Sequence, residues 1–188
     1  MTAAEARTIV LVEGTSDQVA LETLAARHGR DLAAEHVEIV VMGGSKSAGT
    51  FLERFGPNGL GKRVAGLCDV GEEGDFQRAL RRAGLTSDPT RTAMEELGFF
   101  VCVLDLEDEL IRSLGSDAVE QVVEAQGELA SLRIFQQQPA QRGRSPEAQL
   151  RRFMGTRSGR KIHYARMLVE ALDLVRVPRP LDRLLAFL

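Results

Sequence analysis

The chain has no tryptophan, one tyrosine (Tyr164) and two cysteines (Cys68 and Cys102) in 188 residues. So few large polar rings leave little on which single-stranded bases could stack. Both cysteines sit inside apolar runs and lack metal-ligand spacing, which argues against a disulfide framework and for buried thiols in a reducing compartment. The three histidines, His28, His36 and His163, are scattered without paired spacing, so a zinc site is not indicated and the first two read as surface residues. A formal net charge of -3 argues against a basic protein that wraps nucleic acid. No apolar run approaches a membrane span, and residues 1–8 (MTAAEART) lack a signal core. The expectation is a soluble cytoplasmic protein with no membrane partner.

What is present is an alternation. Residues 9–12, 37–42, 63–68 and 99–104 are short apolar runs, the pattern of parallel strands buried on both faces. Helical patterns follow at 18–28, 48–55, 75–82 and 92–97, the first capped by Ser16 or Asp17. Such a βα repeat predicts an α/β fold with a mostly parallel sheet of about four strands. Beyond residue 104 only helical periodicity remains, at 106–114 and 118–134. A polar passage at 136–145 follows, then a Ser145-Pro146 helix start and a last helix pair divided at Pro178 and Pro180. Residues 1–114 read as the core, and 115–188 as a helical C-terminal extension packed on it.

Acidic residues follow three of the four strands. Glu13 ends the first and Asp17 lies four residues on. Asp69 ends the third, with Glu72, Glu73 and Asp75 beyond; Asp105, Glu107, Asp108 and Glu109 crowd the end of the fourth. Carboxyl ends of parallel strands face one crevice, where ligands bind. A rim of carboxylates there repels itself unless a cation occupies it. Hard oxygen ligands without histidine suit Mg²⁺ or Mn²⁺, as one or two ions, and therefore phosphoryl chemistry. The competing reading is that Asp17 and several of the others merely favour helix N-termini, and that part of the 105–109 cluster faces water.

Five segments carry a resemblance: VEGTSD (12–17), VMGGSKS (41–47), LCDVGEE (67–73), VLDLEDEL (103–110) and GRKIHYARMLVEAL (159–172). They resemble the Toprim domain, the metal-binding module of topoisomerases, bacterial primases and recombination mediators. The nearer likeness is to the Toprim part of the OLD (overcoming lysogenization defect) family nucleases. That resemblance implies a Rossmann-like Toprim fold. It implies Glu13, Asp69 and Lys161 as catalytic residues, and Glu13, Asp17, Asp69, Glu72, Asp105 and Glu107 around the metal. Gly71 stands where many relatives carry a second aspartate, so either Glu72 or Glu73 substitutes or one metal position is weakened. The family module commonly follows an ABC-type ATPase region; GGSKSAG here lacks the spacing of a nucleotide-binding loop.

Three function classes follow. A metal-dependent endonuclease, an Mg²⁺/Mn²⁺ phosphodiesterase, would cut nucleic acid, DNA in the first instance. Lys161 would steady charge on a phosphoryl oxygen, unless it is a plain solvated lysine. Ser45 and Lys46 could touch phosphate, and Arg142, Arg144, Arg151, Arg152, Arg157, Arg160, Arg176, Arg179 and Arg183 would flank the duplex. The alternative is a non-catalytic or subunit-dependent module that binds metal and serves a separately encoded ATPase or helicase in DNA repair or defence; under either reading the chain could form a homodimer. Such a module would dock through a patch of Leu168, Leu172, Leu181, Leu184, Leu185 and Leu188. The third class is a primase-like or topoisomerase-like activity, of which topoisomerisation is disfavoured because Tyr164 is the only tyrosine; phosphatase chemistry suits the same rim as the nuclease.

Overall fold

The structure is a computed structural model and describes residue 3 and residues 5–188. The reading of residues 1–8 therefore falls partly on residues 1, 2 and 4, outside the described ones. Four strands, β1 (Thr8–Val12), β2 (Val37–Val41), β3 (Arg63–Asp69) and β4 (Phe99–Cys102), form one sheet in the order β2-β1-β3-β4. Every pairing is parallel, with Val10 beside Ile39 and Ala65, and Asp69 beside Cys102. All five residues of β1 are buried, because it is an inner strand with both faces covered.

Successive residues point to opposite faces, and each face has its own core. Ile9, Leu11, Val64, Cys68 and Phe99 meet α2 (Ala48–Phe55), α3 (Glu73–Arg82) and α4 (Arg91–Glu96). Val10, Val12, Ala65, Leu67, Phe100 and Cys102 meet α1 (Thr15–Arg27) and the helices after β4. Those helices are α5 (Leu106–Leu114), α6 (Ser116–Ala125), α7 (Leu129–Gln137), α8 (Pro146–Met154), α9 (Arg160–Ala171) and α10 (Arg179–Phe187). The strands are those expected, with β4 two residues shorter. The expected helix over 118–134 is two helices, parted at Gly127, which takes a φ of 71°.

Two readings of the C-terminal region are corrected. Leu168, Leu172, Leu181, Leu184 and Leu185 are buried and Leu188 packs against them, so they are core and not a docking patch. Their helical spacing marks an apolar face in either case; what covers it is set by the tertiary packing. Arg160 is 6% exposed and Arg179 is paired with Glu95, so neither belongs to a free basic surface. The cysteines are buried and unbridged, as expected. Among the described residues no helix is long and apolar enough to cross a membrane.

Candidate metal centre

The order β2-β1-β3-β4 sends the chain from β1 outward to β2 and then back across to β3. The loops after β1 and β3 thus diverge to opposite faces and leave a crevice between them, where open α/β sheets bind ligands. Glu13 and Asp69 sit at those two strand ends. The ladder runs on past β2, with Met42 N–H donating to Val12 O (2.9 Å) and Gly43 N–H to Glu13 O (3.1 Å), which draws Gly43 against Glu13. Gly43 and Gly44 have φ of 72° and 133°, a backbone path that side-chain-bearing residues avoid.

A cleft of about 290 Å³ opens at this point, lined by Glu13, Gly14, Ser16, Asp17, Gly43, Asp69, Leu106, Glu107 and Lys161. Asp17 is held in place locally: Gly14 is the N-cap of α1 and its N–H donates to Asp17 Oδ2 (2.8 Å). The cap is therefore Gly14, not Ser16 or Asp17 as expected, and Asp17 at the third helical position faces the cleft. Glu107 comes from the first turn of α5, is 3% exposed, and accepts at Oε2 from Lys161 Nζ (3.0 Å). Its Oε1 is buried without a hydrogen-bond partner. Lys161, the second residue of α9, reaches the cleft across 54 residues of sequence.

The dense acidic run after β4 divides by task. Asp105 caps α5 by accepting from Asp108 N–H (2.9 Å), and its other oxygen accepts from Arg151 Nε (2.8 Å). Asp108 and Glu109 are both held by Arg112 at 2.7 Å, and Glu109 also accepts from Val103 N–H (2.7 Å). Glu107, Asp108 and Glu109 are all buried, so the expectation that members of this group face water is corrected. Only Glu107 lines the cleft, and Asp105 is outside its lining.

Glu72 and Glu73 also separate. Glu73 is tied to Arg91 from α4 and accepts from Gln77 (3.3 Å). Glu72 instead lies against the Glu13 carboxylate and the Ser45 hydroxyl, with its Oε2 buried and unpartnered. Ser45 donates to Asp75 Oδ2 (2.9 Å), and Lys46 is exposed outside the cleft lining, so neither is aimed at a ligand there.

Burial raises Asp69 from 3.8 to about 8, with the negative charges of Asp17, Asp105, Glu72 and Glu13 adding to it. Burial also raises Asp17 to about 6, against the pull of the Gly14 N–H and with the push of Glu107 and Glu13. Glu72 rises to about 7 through burial and its contact with Glu13. Burial works against the Lys161 charge, but Glu107 outweighs it and, with Asp105 and Asp69, raises that ammonium. Negative charge thus exceeds what one lysine neutralises.

A divalent cation fits this donor set. The ligands are hard oxygens, they repel one another, and two buried carboxylate oxygens lack partners. Among the described residues no three side chains already stand in chelating geometry; Glu13, Asp17, Asp69 and Glu107 line a shared space, and Glu72 lies beside Glu13 but outside that lining.

Sequence reasoning missed Ser16, Gly43 and Leu106 as lining residues. It also missed the support under Lys161. Arg160 donates to Glu128 (2.7 Å), Phe153 O (3.1 Å) and Thr156 Oγ1 (2.6 Å), with its guanidinium 4.1 Å from the Phe153 ring centroid. Tyr164 Oη donates to the other Glu128 oxygen (2.9 Å). Nothing in the local pattern separates Arg160 from a surface arginine.

Residues 6–70 match the family model described as "Overcoming lysogenization defect protein-like, TOPRIM domain". Solved structures share the fold over nearly the whole chain. The C-terminal region of the Burkholderia pseudomallei OLD protein is 20% identical with a TM-score of 0.74, covering 97% of this chain and 96% of that one. The C-terminal region of the Xanthomonas campestris pv. campestris OLD protein is also 20% identical with a TM-score of 0.73, covering 96% and 93%. No curated protein matches the chain.

Proposed function

We propose, from the Toprim domain close to that of the OLD proteins that this chain carries, that it is a divalent-metal-dependent endonuclease acting on DNA. The observation that carries the reading is the convergence of Glu13, Asp17, Asp69, Glu107 and Lys161 on one cleft. They come from two strand ends and three helices, and no local structural need explains all five. Glu13, Asp17, Asp69 and Glu107, with Glu72 beside Glu13, would hold Mg²⁺ or Mn²⁺, one ion or two. Bound there, the metal supplies Lewis-acid activation of water and of the phosphodiester. Lys161, half exposed at the cleft, is placed to meet charge on a phosphoryl oxygen. Asp105 serves this site by capping α5 and so fixing Glu107. The exposed Arg142, Arg144 and Arg152 provide positive charge for a nucleic-acid backbone. The protein would act in the cytoplasm, in DNA repair or defence.

The test is a panel of labelled DNA and RNA substrates with Mg²⁺, with Mn²⁺ and with chelator. DNA cleavage that needs metal and falls at least about 100-fold in Glu13→Ala and in Lys161→Ala is expected. Undiminished cleavage by both variants would refute the assignment. A second reading, a module dependent on a separate ATPase or helicase, rests on Gly71 in place of an acidic ligand. It predicts metal binding by the isolated chain with no cleavage.

A further inference from the structure

Glu107 is the most deeply placed carboxylate of the cleft, and its two oxygens are unequal. One is paired with Lys161 Nζ at 3.0 Å; the other is buried with no partner. The partners are unequal too, since the Glu107 side chain is 4% exposed and that of Lys161 is 48% exposed. The carboxylate cannot leave, whereas the ammonium can turn into water at little cost. The backbone under Lys161 is fixed, because the neighbouring Arg160 is buried and bonded to Glu128, Phe153 O and Thr156. Any rearrangement at this point is therefore confined to the lysine side chain.

We infer that Lys161 is the resident counterion of Glu107 and competes with the divalent cation for it, so that metal loading releases the ammonium into the open cleft. This rests on the metal-centre reading and goes beyond it, in making cation occupancy and lysine position one exclusive choice. A buried carboxylate stays ionised only with a compensating charge beside it. The lysine supplies it before loading, and its release leaves a free cation beside the scissile group only when the site is loaded.

The chain's scarcity of lysine makes this readable. Lys46, Lys62 and Lys161 are its only lysines, and Lys62, just before β3, lies at the end of the sheet opposite the cleft. Lysine side chains labelled with ¹⁵N or ¹³C give three signals, assigned by single substitutions, with Lys62 as internal reference. Saturating Mg²⁺ is expected to move the Lys161 signal to the position it takes in metal-free Glu107→Gln. Calorimetry is expected to show Lys161→Met binding Mg²⁺ about fivefold more tightly than the unaltered protein, the equivalent of about 1 kcal/mol for a half-exposed pair. A Lys161 signal that stays in place while calorimetry reports bound Mg²⁺ overturns this inference and leaves the metal centre standing. No heat of Mg²⁺ binding in either protein removes the metal centre and this inference together.

Discussion

The carboxylates show how far residue type alone carries the site. A sequence reader sees Asp105, Glu107, Asp108 and Glu109 as near equivalents, yet each has a different partner. One caps a helix, one enters the cleft, and two hold Arg112. Their order along the first turn of α5 decides this, since neighbouring positions on a helix point about 100° apart. The same holds after β3, where the sequence leaves Glu72 and Glu73 as equal substitutes for an acid at position 71. The structure separates them, Glu72 lying against Glu13 and Glu73 tied to Arg91. Glu72→Gln is expected to weaken Mn²⁺ binding about tenfold, as loss of one charged ligand would. Glu73→Gln should leave Mn²⁺ binding unchanged and cost about 1 kcal/mol of stability, because the Arg91 that it pairs with is half exposed and can turn to water. Equal effects of the two changes on the titration would show that Glu72 has no special place.

Elements were legible wherever their signal is local. Four apolar runs became four parallel strands, and the α5 limits match because Asp105 caps one end and Gly115, with φ of 83°, closes the other. What was not legible is which element supports which. The first turn of α9 delivers Lys161, and Glu128, just before α7, anchors it through Arg160 and Tyr164. No periodicity announces a tie over 32 residues. Against its burial, the bonds from Arg160 and Tyr164 hold Glu128 below the usual carboxylate range. Arg160→Met is expected to cost about 2 kcal/mol, the low side for a buried pair because Glu128 still reaches water. In a chain of this size that lowers Tm by about 4–8 °C. Cleavage should fall by a larger factor than the folded fraction, since Lys161 loses its fixed base; loss of activity strictly parallel to unfolding would show the anchor to be structural only. Arg160→Lys, which keeps a charge for Glu128, should recover part of both.

At the scale of the whole molecule, the fold builds an acidic cleft whose cost depends on pH. Asp17, Asp69 and Glu72 have folded pKa values of about 6, 8 and 7, against ordinary values of 3.8, 3.8 and 4.5. Between the ordinary and the raised values the folded chain binds protons that the unfolded chain has released. By linkage, the stability this contributes is complete below about pH 4 and is lost progressively as pH rises to about 8. Carboxylates held low by arginines, such as Glu128 and Glu95, change their contribution only below about pH 4.5 and so lie outside this window. Thermal unfolding in chelator should therefore give a Tm that falls steadily from pH 5 to pH 8.5. A bound divalent cation takes the place of those protons and stabilises only the folded state, so saturating Mg²⁺ should raise Tm more at pH 8 than at pH 6. Asp69→Asn removes the group with the highest raised value; it should flatten the chelator profile and raise Tm at pH 8 by about 2–4 °C, the equivalent of about 1 kcal/mol. A Tm independent of pH across this range, or an Mg²⁺ effect of equal size at both pH values, would mean that burial and mutual repulsion do not raise these carboxyls. The cleft would then have no electrostatic need of a cation.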